Sequence, residues 1–136
     1  MLKTSLGKNI YPTQIESTLL KSNRIDQIFI IGDKREYLTA IIVPNHEEAL
    51  QTFNLSPDFF EKADDILIHD EMYKWLAEGL KEHGKKLAKF ERMKNFVIRS
   101  RPFSIETGEM TPKMSVKRKV VLEKYTDVID SMYASR

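Results

Sequence analysis

Two short apolar runs constrain this chain more than any other feature. Residues 25–31 read Ile-Asp-Gln-Ile-Phe-Ile-Ile and residues 37–43 read Tyr-Leu-Thr-Ala-Ile-Ile-Val. Both are rich in β-branched and aromatic side chains, which suit a pleated strand and crowd a helix. Between them lies Gly32-Asp33-Lys34-Arg35-Glu36, a polar turn of hairpin length, and Pro44 ends the second run. The spacing predicts an antiparallel strand pair. The runs are nearly continuous in apolar residues rather than alternating, so the sheet they form is expected to be covered on both faces.

Helical periodicity surrounds this pair. Pro12 suits a first helical turn, and Ile15, Thr18, Leu19 and Ser22 recur at helical spacing. A helix is therefore predicted over residues 12–22, with Ile15 and Leu19 inward and Asn23 as its stop. Residues 46–53 form a short helix candidate. The Asn54-Leu55-Ser56-Pro57 stretch interrupts it, with Ser56 able to cap a following turn that starts at Pro57. Residues 70–87 read as a longer helix carrying Met72, Trp75, Leu76, Leu80 and Leu87 near one face. Phe96-Val97-Ile98 is a short strand candidate, residues 104–112 a polar loop around Gly108, and residues 116–133 one or two terminal helices. Residues 1–11 read as extended or turn structure around Gly7. The fold class is α+β: a small β-sheet with a two-stranded hairpin, flanked by helices, in a single domain over residues 1–136.

Composition excludes several functions. The chain contains no cysteine, which removes disulfides and thiolate metal sites and agrees with a reducing, cytoplasmic setting. No apolar run approaches the roughly 18 residues of a membrane span. A net charge of +2 gives no electrostatic argument for nucleic acid. His46, His69 and His83 are not spaced as a metal-ligand set. The acidic pairs Glu47-Glu48 and Asp64-Asp65 are adjacent, so on a helix they diverge rather than form a carboxylate dyad. Charge is uneven all the same. Lys113, Lys117, Arg118, Lys119 and Lys124 cluster around the single acid Glu123, which suggests either a local anion site or a solvated face.

Two segments could carry chemistry. Thr4-Ser5-Leu6-Gly7-Lys8-Asn9-Ile10-Tyr11-Pro12 surrounds a glycine, which permits positive φ or close ligand approach, with polar residues and a lysine. On local grounds it fits a turn before a helix as well as an anion-binding loop. The run from Thr107 to Lys119 is a loop feeding a basic segment. A loop-borne ammonium can neutralise charge that develops on a carboxylate or phosphate during group transfer.

Together these segments carry a family resemblance. Residues 3–12, followed by Ile15-Glu16, resemble the post-hinge segment of the adenylate-forming superfamily, of pattern K-T-S-G-G-K-x-I-x-P-x-x-I-E. Gly108-Glu109-Met110-Thr111-Pro112 through Lys117-Arg118-Lys119 resembles that family's closing motif, of pattern G-E-L-T-P-T-x-K-x-K-R. Residues 24–43 and 90–98 are similar to the intervening strands. The likeness is to the C-terminal lid domain of the long-chain fatty acid–CoA ligase branch of acyl-CoA synthetases and covers nearly the whole chain. It implies a two-step, AMP-forming ligation: a fatty acid and ATP, with Mg²⁺, give an acyl-adenylate, and coenzyme A then displaces AMP. It also implies that ATP and Mg²⁺ are bound mainly by a large N-terminal domain outside this chain, that the partner of the chain is that domain, and that the isolated chain is inactive. Peripheral membrane contact of the full-length enzyme stays open. Leu6, Gly7 and Lys8 would line the pantetheine path in the thioester-forming pose.

Two departures bear on the expected site. The family's double glycine is Leu6-Gly7 here. Aligning Thr111-Pro112 places Ser115 at the position of the family's catalytic lysine, and a hydroxyl cannot supply a full positive charge. Lys113 and Lys117 flank it at two residues on either side, and in an extended segment both would share its face. Both are candidate catalytic cations, with Lys113 preferred because it lies in the loop. The competing reading is a free-standing module that binds an anionic partner or a membrane surface through the basic segment. It would need a contiguous basic face with apolar residues beside it.

Overall fold

The computed structural model describes residues 1–134. Two compact units divide the chain, one over residues 1–101 and one over 102–136.

The first unit is built on a four-stranded mixed sheet. Strand β3 (Ile25–Ile31) pairs antiparallel with β4 (Leu38–Pro44), with Ile28 opposite Ile42 and Ile30 opposite Ala40. β4 runs parallel to β6 (Met93–Arg99), and the short β5 (Ile66–Leu67) closes the far edge antiparallel to β6, giving the order β3-β4-β6-β5. Every residue of β4 is buried, so neither of its faces is open to water, as its unbroken apolar sequence predicts. The predicted boundaries of the first two strands hold, except that Tyr37 stays in the turn and Pro44 is the last paired residue, opposite Ile25, while the strand expected at residues 96–98 runs from Met93 to Arg99. Proline is tolerated there because it ends the strand.

Helices cover one face. Helix α1 (Pro12–Leu19) begins at proline, as expected, and buries Ile15 and Leu19 against β3 and the long helix α4 (Asp70–His83). It stops at Leu19 rather than Ser22: the Leu20 N–H still donates to Glu16, and the Ser22 hydroxyl turns to accept from the Arg24 N–H. Helix α2 (His46–Thr52) is capped by Asn45, whose side chain accepts from the Glu48 N–H. The following turn starts at Pro57 as expected, closed by the Phe59 N–H on the Ser56 carbonyl, and leads into helix α3 (Phe59–Lys62); the Ser56 hydroxyl donates to Asp58 rather than capping a backbone N–H. Helix α4 is capped by His69, whose Nδ1 accepts the Met72 N–H at 3.1 Å. It ends at His83, not Leu87. Gly84 opens a 3-10 turn, Gly84–Lys86, that carries the chain on to Leu87 at the rim of the core. The core joins Ile10, Ile15, Leu19, Ile28, Ile30, Leu38, Ala40, Ile42, Met72, Leu76, Phe96 and Ile98.

The β3–β4 turn is tightly packed. A methyl added at Gly32 would lie 2.2 Å from Cδ2 of Leu38, which is fully buried and has little room to yield. Gly32→Ala is expected to cost about 1–3 kcal/mol through overpacking. Thermal unfolding followed by far-UV circular dichroism checks it, and shortening the neighbour in a Gly32→Ala/Leu38→Val double variant should recover part of the loss.

The second unit holds α5 (Arg118–Lys124) and α6 (Thr126–Ala134), the two terminal helices anticipated by periodicity. Phe103, Met110, Val121, Tyr125, Ile129 and Met132 are its buried apolar side chains.

Candidate functional site

The first candidate segment folds as a small hairpin that periodicity could not reveal. β1 (Leu2–Lys3) and β2 (Asn9–Ile10) pair antiparallel, with Leu2 opposite Ile10. Residues 4–8 close the loop: the Thr4 N–H donates to the Lys8 carbonyl at 3.0 Å, the Gly7 N–H to the Thr4 carbonyl at 3.0 Å, and the Lys8 N–H to Thr4 Oγ1 at 3.1 Å. Gly7 sits at φ +83, a left-handed conformation that glycine alone adopts without a Cβ penalty. The tip is tied to the β3–β4 turn, since Ser5 N–H donates to the Arg35 carbonyl and Lys34 N–H to the Lys3 carbonyl. Ile10 is fully buried, so the hairpin base is anchored while its tip faces solvent. Leu6 at that tip is 71% exposed. Lys8 Nζ lies 5.4 Å from the centre of the Phe90 ring, which places the tip beside the turn at Lys89–Glu91. Leu6, Gly7 and Lys8 are thus brought together on one exposed loop, and Phe90 joins them from more than eighty residues away. Its exposure beside a glycine-turned lysine is a signal that sequence spacing does not carry.

The second segment is also a hairpin, in the second unit. Its arms are held by Lys117 N–H donating to the Glu109 carbonyl at 2.7 Å, by a bridge between Met110 and Val116, and by Thr111 N–H donating to the Ser115 carbonyl at 2.8 Å. The turn closes with Met114 N–H on the Thr111 carbonyl at 2.8 Å and Ser115 N–H on Thr111 Oγ1 at 3.2 Å, with Met114 at φ +65. Pro112, Lys113, Met114 and Ser115 are exposed, whereas Glu109 and Met110 are buried at the base. The segment is therefore not uniformly extended. Ser115 and Lys117 lie two apart on one arm of the ladder and share a face by strand alternation. Lys113 is in the turn itself, where that alternation does not hold.

Electrostatics sort the basic cluster. Lys124, at the end of α5, turns to Glu109, its Nζ 3.3 Å from Oε2 of a carboxylate whose side chain is 1% exposed. Lys113, Lys117 and Lys119 are exposed. The cluster is thus divided between Lys124, half-exposed and paired with a buried carboxylate, and Lys113, Lys117 and Lys119, which face solvent.

No group of three His, Asp or Glu side chains among the described residues could hold a metal ion. The described residues thus offer no three-ligand set for Mg²⁺. No helix among the described residues is long and apolar enough to cross a membrane. A cleft of about 270 Å³ between α4 and β6, floored by Leu19, Leu80, Leu87 and Phe96, contains none of Leu6, Gly7, Lys8, Lys113, Ser115 and Lys117.

Known proteins share this arrangement. Residues 1–136 match the family described as AMP-binding enzyme C-terminal domain. A chloroplastic long-chain-fatty-acid–[acyl-carrier-protein] ligase from Arabidopsis thaliana is 35% identical over 130 residues, covering 96% of this chain and 16% of that protein. Long-chain-fatty-acid–CoA ligase 5 from Rattus norvegicus is 30% identical over 138 residues, covering 99% of this chain and 20% of that protein. Among solved structures, the adenylation domain of a carboxylate reductase from Mycobacterium chelonae superposes with a TM-score of 0.81 at 26% identity, over 98% of this chain and 19% of that one. The adenylation domain of a carboxylic acid reductase from Segniliparus rugosus, in complex with AMP and a co-purified carboxylic acid, gives 0.75 at 25% identity, again over 98% of this chain and 19% of that one. This chain spans about a fifth of the length of these relatives, and it belongs to the AMP-binding enzyme C-terminal domain family of adenylate-forming enzymes.

Proposed function

We propose that residues 1–136 serve as one mobile lid on the large domain of an AMP-forming long-chain fatty acid–CoA ligase. The observation that carries this reading is that both family segments fold as anchored hairpins with solvent-facing tips. Ile10 and Glu109 are buried at the bases, while Leu6, Gly7 and residues 112–115 are presented outward. A partner domain that closes on such tips receives preformed loops rather than disordered ones, which lowers the cost of closure.

In the first step a fatty acid carboxylate oxygen bonds to the α-phosphorus of ATP as the bridging P–O bond breaks and pyrophosphate leaves. Negative charge shifts between the α-phosphoryl and pyrophosphate oxygens, and an ammonium held within a few ångströms stabilises that change. We assign this role to Lys117, with Lys113 as the competing candidate. Lys117 shares the face of Ser115, which occupies the family's lysine position, and its backbone is pinned to Glu109. In the second step a thiolate attacks the acyl carbonyl and AMP departs. Gly7, with open space where a Cβ would stand, lets the pantetheine arm pass close to the backbone, and Leu6 and Lys8 flank it. Coenzyme A is the proposed thiol. Because the Arabidopsis relative is named for acyl-carrier protein, the assay should offer both thiols. Lack of cysteine supports a cytoplasmic enzyme.

The test compares three proteins: the chain alone, the full-length polypeptide that carries it, and that polypeptide with residues 1–136 deleted. The chain alone should release no pyrophosphate with fatty acid, ATP and Mg²⁺. The full-length protein should do so in a fatty acid–dependent way, and the deletion should abolish thioester formation. Turnover by the isolated chain, or undiminished ligation by the deletion, sinks the lid reading. Tight binding of the chain alone to anionic vesicles would then favour the free-standing module.

A further inference from the structure

The resemblance and the proposed chemistry leave the buried Glu109 without a role. Glu109 stands beside the glycine that opens the closing motif, where an acidic residue would ordinarily be solvated, yet its side chain is 1% exposed. Burying a carboxylate is unfavourable unless it is paired, and here Lys124 Nζ lies 3.3 Å away, fifteen residues along the chain. The same residue holds the hairpin through its backbone, since the Glu109 carbonyl accepts the Lys117 N–H at 2.7 Å. Lys117 in turn is the residue immediately before α5, and Lys124 is the last residue of α5.

Glu109 therefore grips α5 at both ends, with its carbonyl at the start of the helix and its carboxylate at the finish. Two attachments fix a rod in direction where one would leave it to pivot. Val121, fully buried between them, fixes the roll of the helix. We propose that Glu109 and Lys124 form a positioning pair that sets the direction of the Lys117 side chain relative to its hairpin. The inference rests on the lid reading and deepens it. Lys124 then belongs to the framework of the site rather than to its anion-binding surface, although sequence places it in the same basic cluster as Lys117. An orientation error of about 1 Å at a catalytic cation is enough to cost about a hundredfold in rate, so an indirect contact can matter as much as a direct one.

The experiment uses the full-length polypeptide and measures the two half-reactions separately: fatty acid–dependent pyrophosphate release, and thioester formation from supplied acyl-adenylate. Lys124→Met should lower kcat for the first by about tenfold or more, with little change in KM for ATP and with the second half-reaction retained. Lys124→Arg should restore most of the rate, because it keeps the charge. Lys124→Met removes a cation 3.3 Å from a buried carboxylate and risks local unfolding. The double variant Glu109→Gln/Lys124→Met removes both charges and keeps a hydrogen-bonding side chain. It should fold, by circular dichroism, and still show the selective loss. The proposal is overturned if the folded double variant adenylates at the wild-type rate, or if it loses both half-reactions equally, as a merely structural pair would. A wild-type protein without fatty acid–dependent pyrophosphate release would instead overturn the lid reading, and thus the two failures are distinguishable.

Discussion

Lys117→Ala in the full-length polypeptide should slow acyl-adenylate formation by about a hundredfold, the usual consequence of removing one preorganised electrostatic contact to a charged transition state. The substitution is clean because alanine keeps the backbone N–H that binds the Glu109 carbonyl, so the hairpin ladder survives. Lys113→Ala should have a much smaller effect. Lys113 is held in a turn in which the Met114 N–H donates to the Thr111 carbonyl, where strand alternation does not group it with Ser115 and Lys117. Ser115 is exposed and can be enlarged without disturbing a core. Ser115→Lys should therefore raise the adenylation rate, and it should rescue Lys117→Ala by restoring a cation on the same face. Rapid-quench measurement of pyrophosphate release decides it. If Lys113→Ala carries the large loss and Lys117→Ala is silent, the assignment is reversed. If neither matters and Ser115→Lys does nothing, the hairpin supplies no catalytic cation.

How much of the fold is legible in the sequence depends on whether the deciding interactions are local. The β3–β4 pair is legible because its determinants are contiguous: β-branched runs, a five-residue polar turn and a proline stop. α1 is legible from Pro12 and from the spacing of Ile15 and Leu19. The β1–β2 hairpin is not. Each strand has only two residues, and the turn that steadies it, at Asp33 to Arg35, lies some thirty residues away. Strand β5 escapes for the same reason, since Ile66 and Leu67 become a strand only opposite Arg99 and Ile98. Periodicity carries α4 too far because Leu87 continues its apolar face, although Gly84 has already broken the helix into a tighter turn.

The candidate site divides along the same line. Gly7 announces its own turn, because its positive φ is a property of one residue. The turn at 111–115 conceals itself: Met114 takes the left-handed conformation without being glycine, held there by the Thr111 carbonyl and hydroxyl. Burial of Glu109 is the least legible feature, because nothing adjacent to it in sequence shows that Lys124 will cover it. Strand alternation thus applies along the arm from Ser115 to Lys117 and not through the turn that holds Lys113.

Ile42→Ala should destabilise the chain by about 3–4 kcal/mol, more than the overpacking at Gly32. Ile42 is fully buried in β4, between Ile28 of β3 and Ile98 of β6 in the ladder, and faces the cluster formed with α1 and α4. Both neighbours are themselves strand residues paired in register, so they cannot slide to fill the space without breaking the ladder. The cavity should persist, which puts the cost toward the upper part of the range for such truncations. Urea denaturation of the chain tests it, with a decrease in midpoint of about 1–4 M for the m-values usual in small proteins. Leu6→Ala is the control: it removes a side chain of similar size that is 71% exposed, and should leave the midpoint almost unchanged. A comparable loss for both variants would mean that the hairpin tip is packed rather than presented, and the lid reading would lose its main structural support. A small loss at Ile42 would mean that the sheet can collapse around the gap despite its paired register.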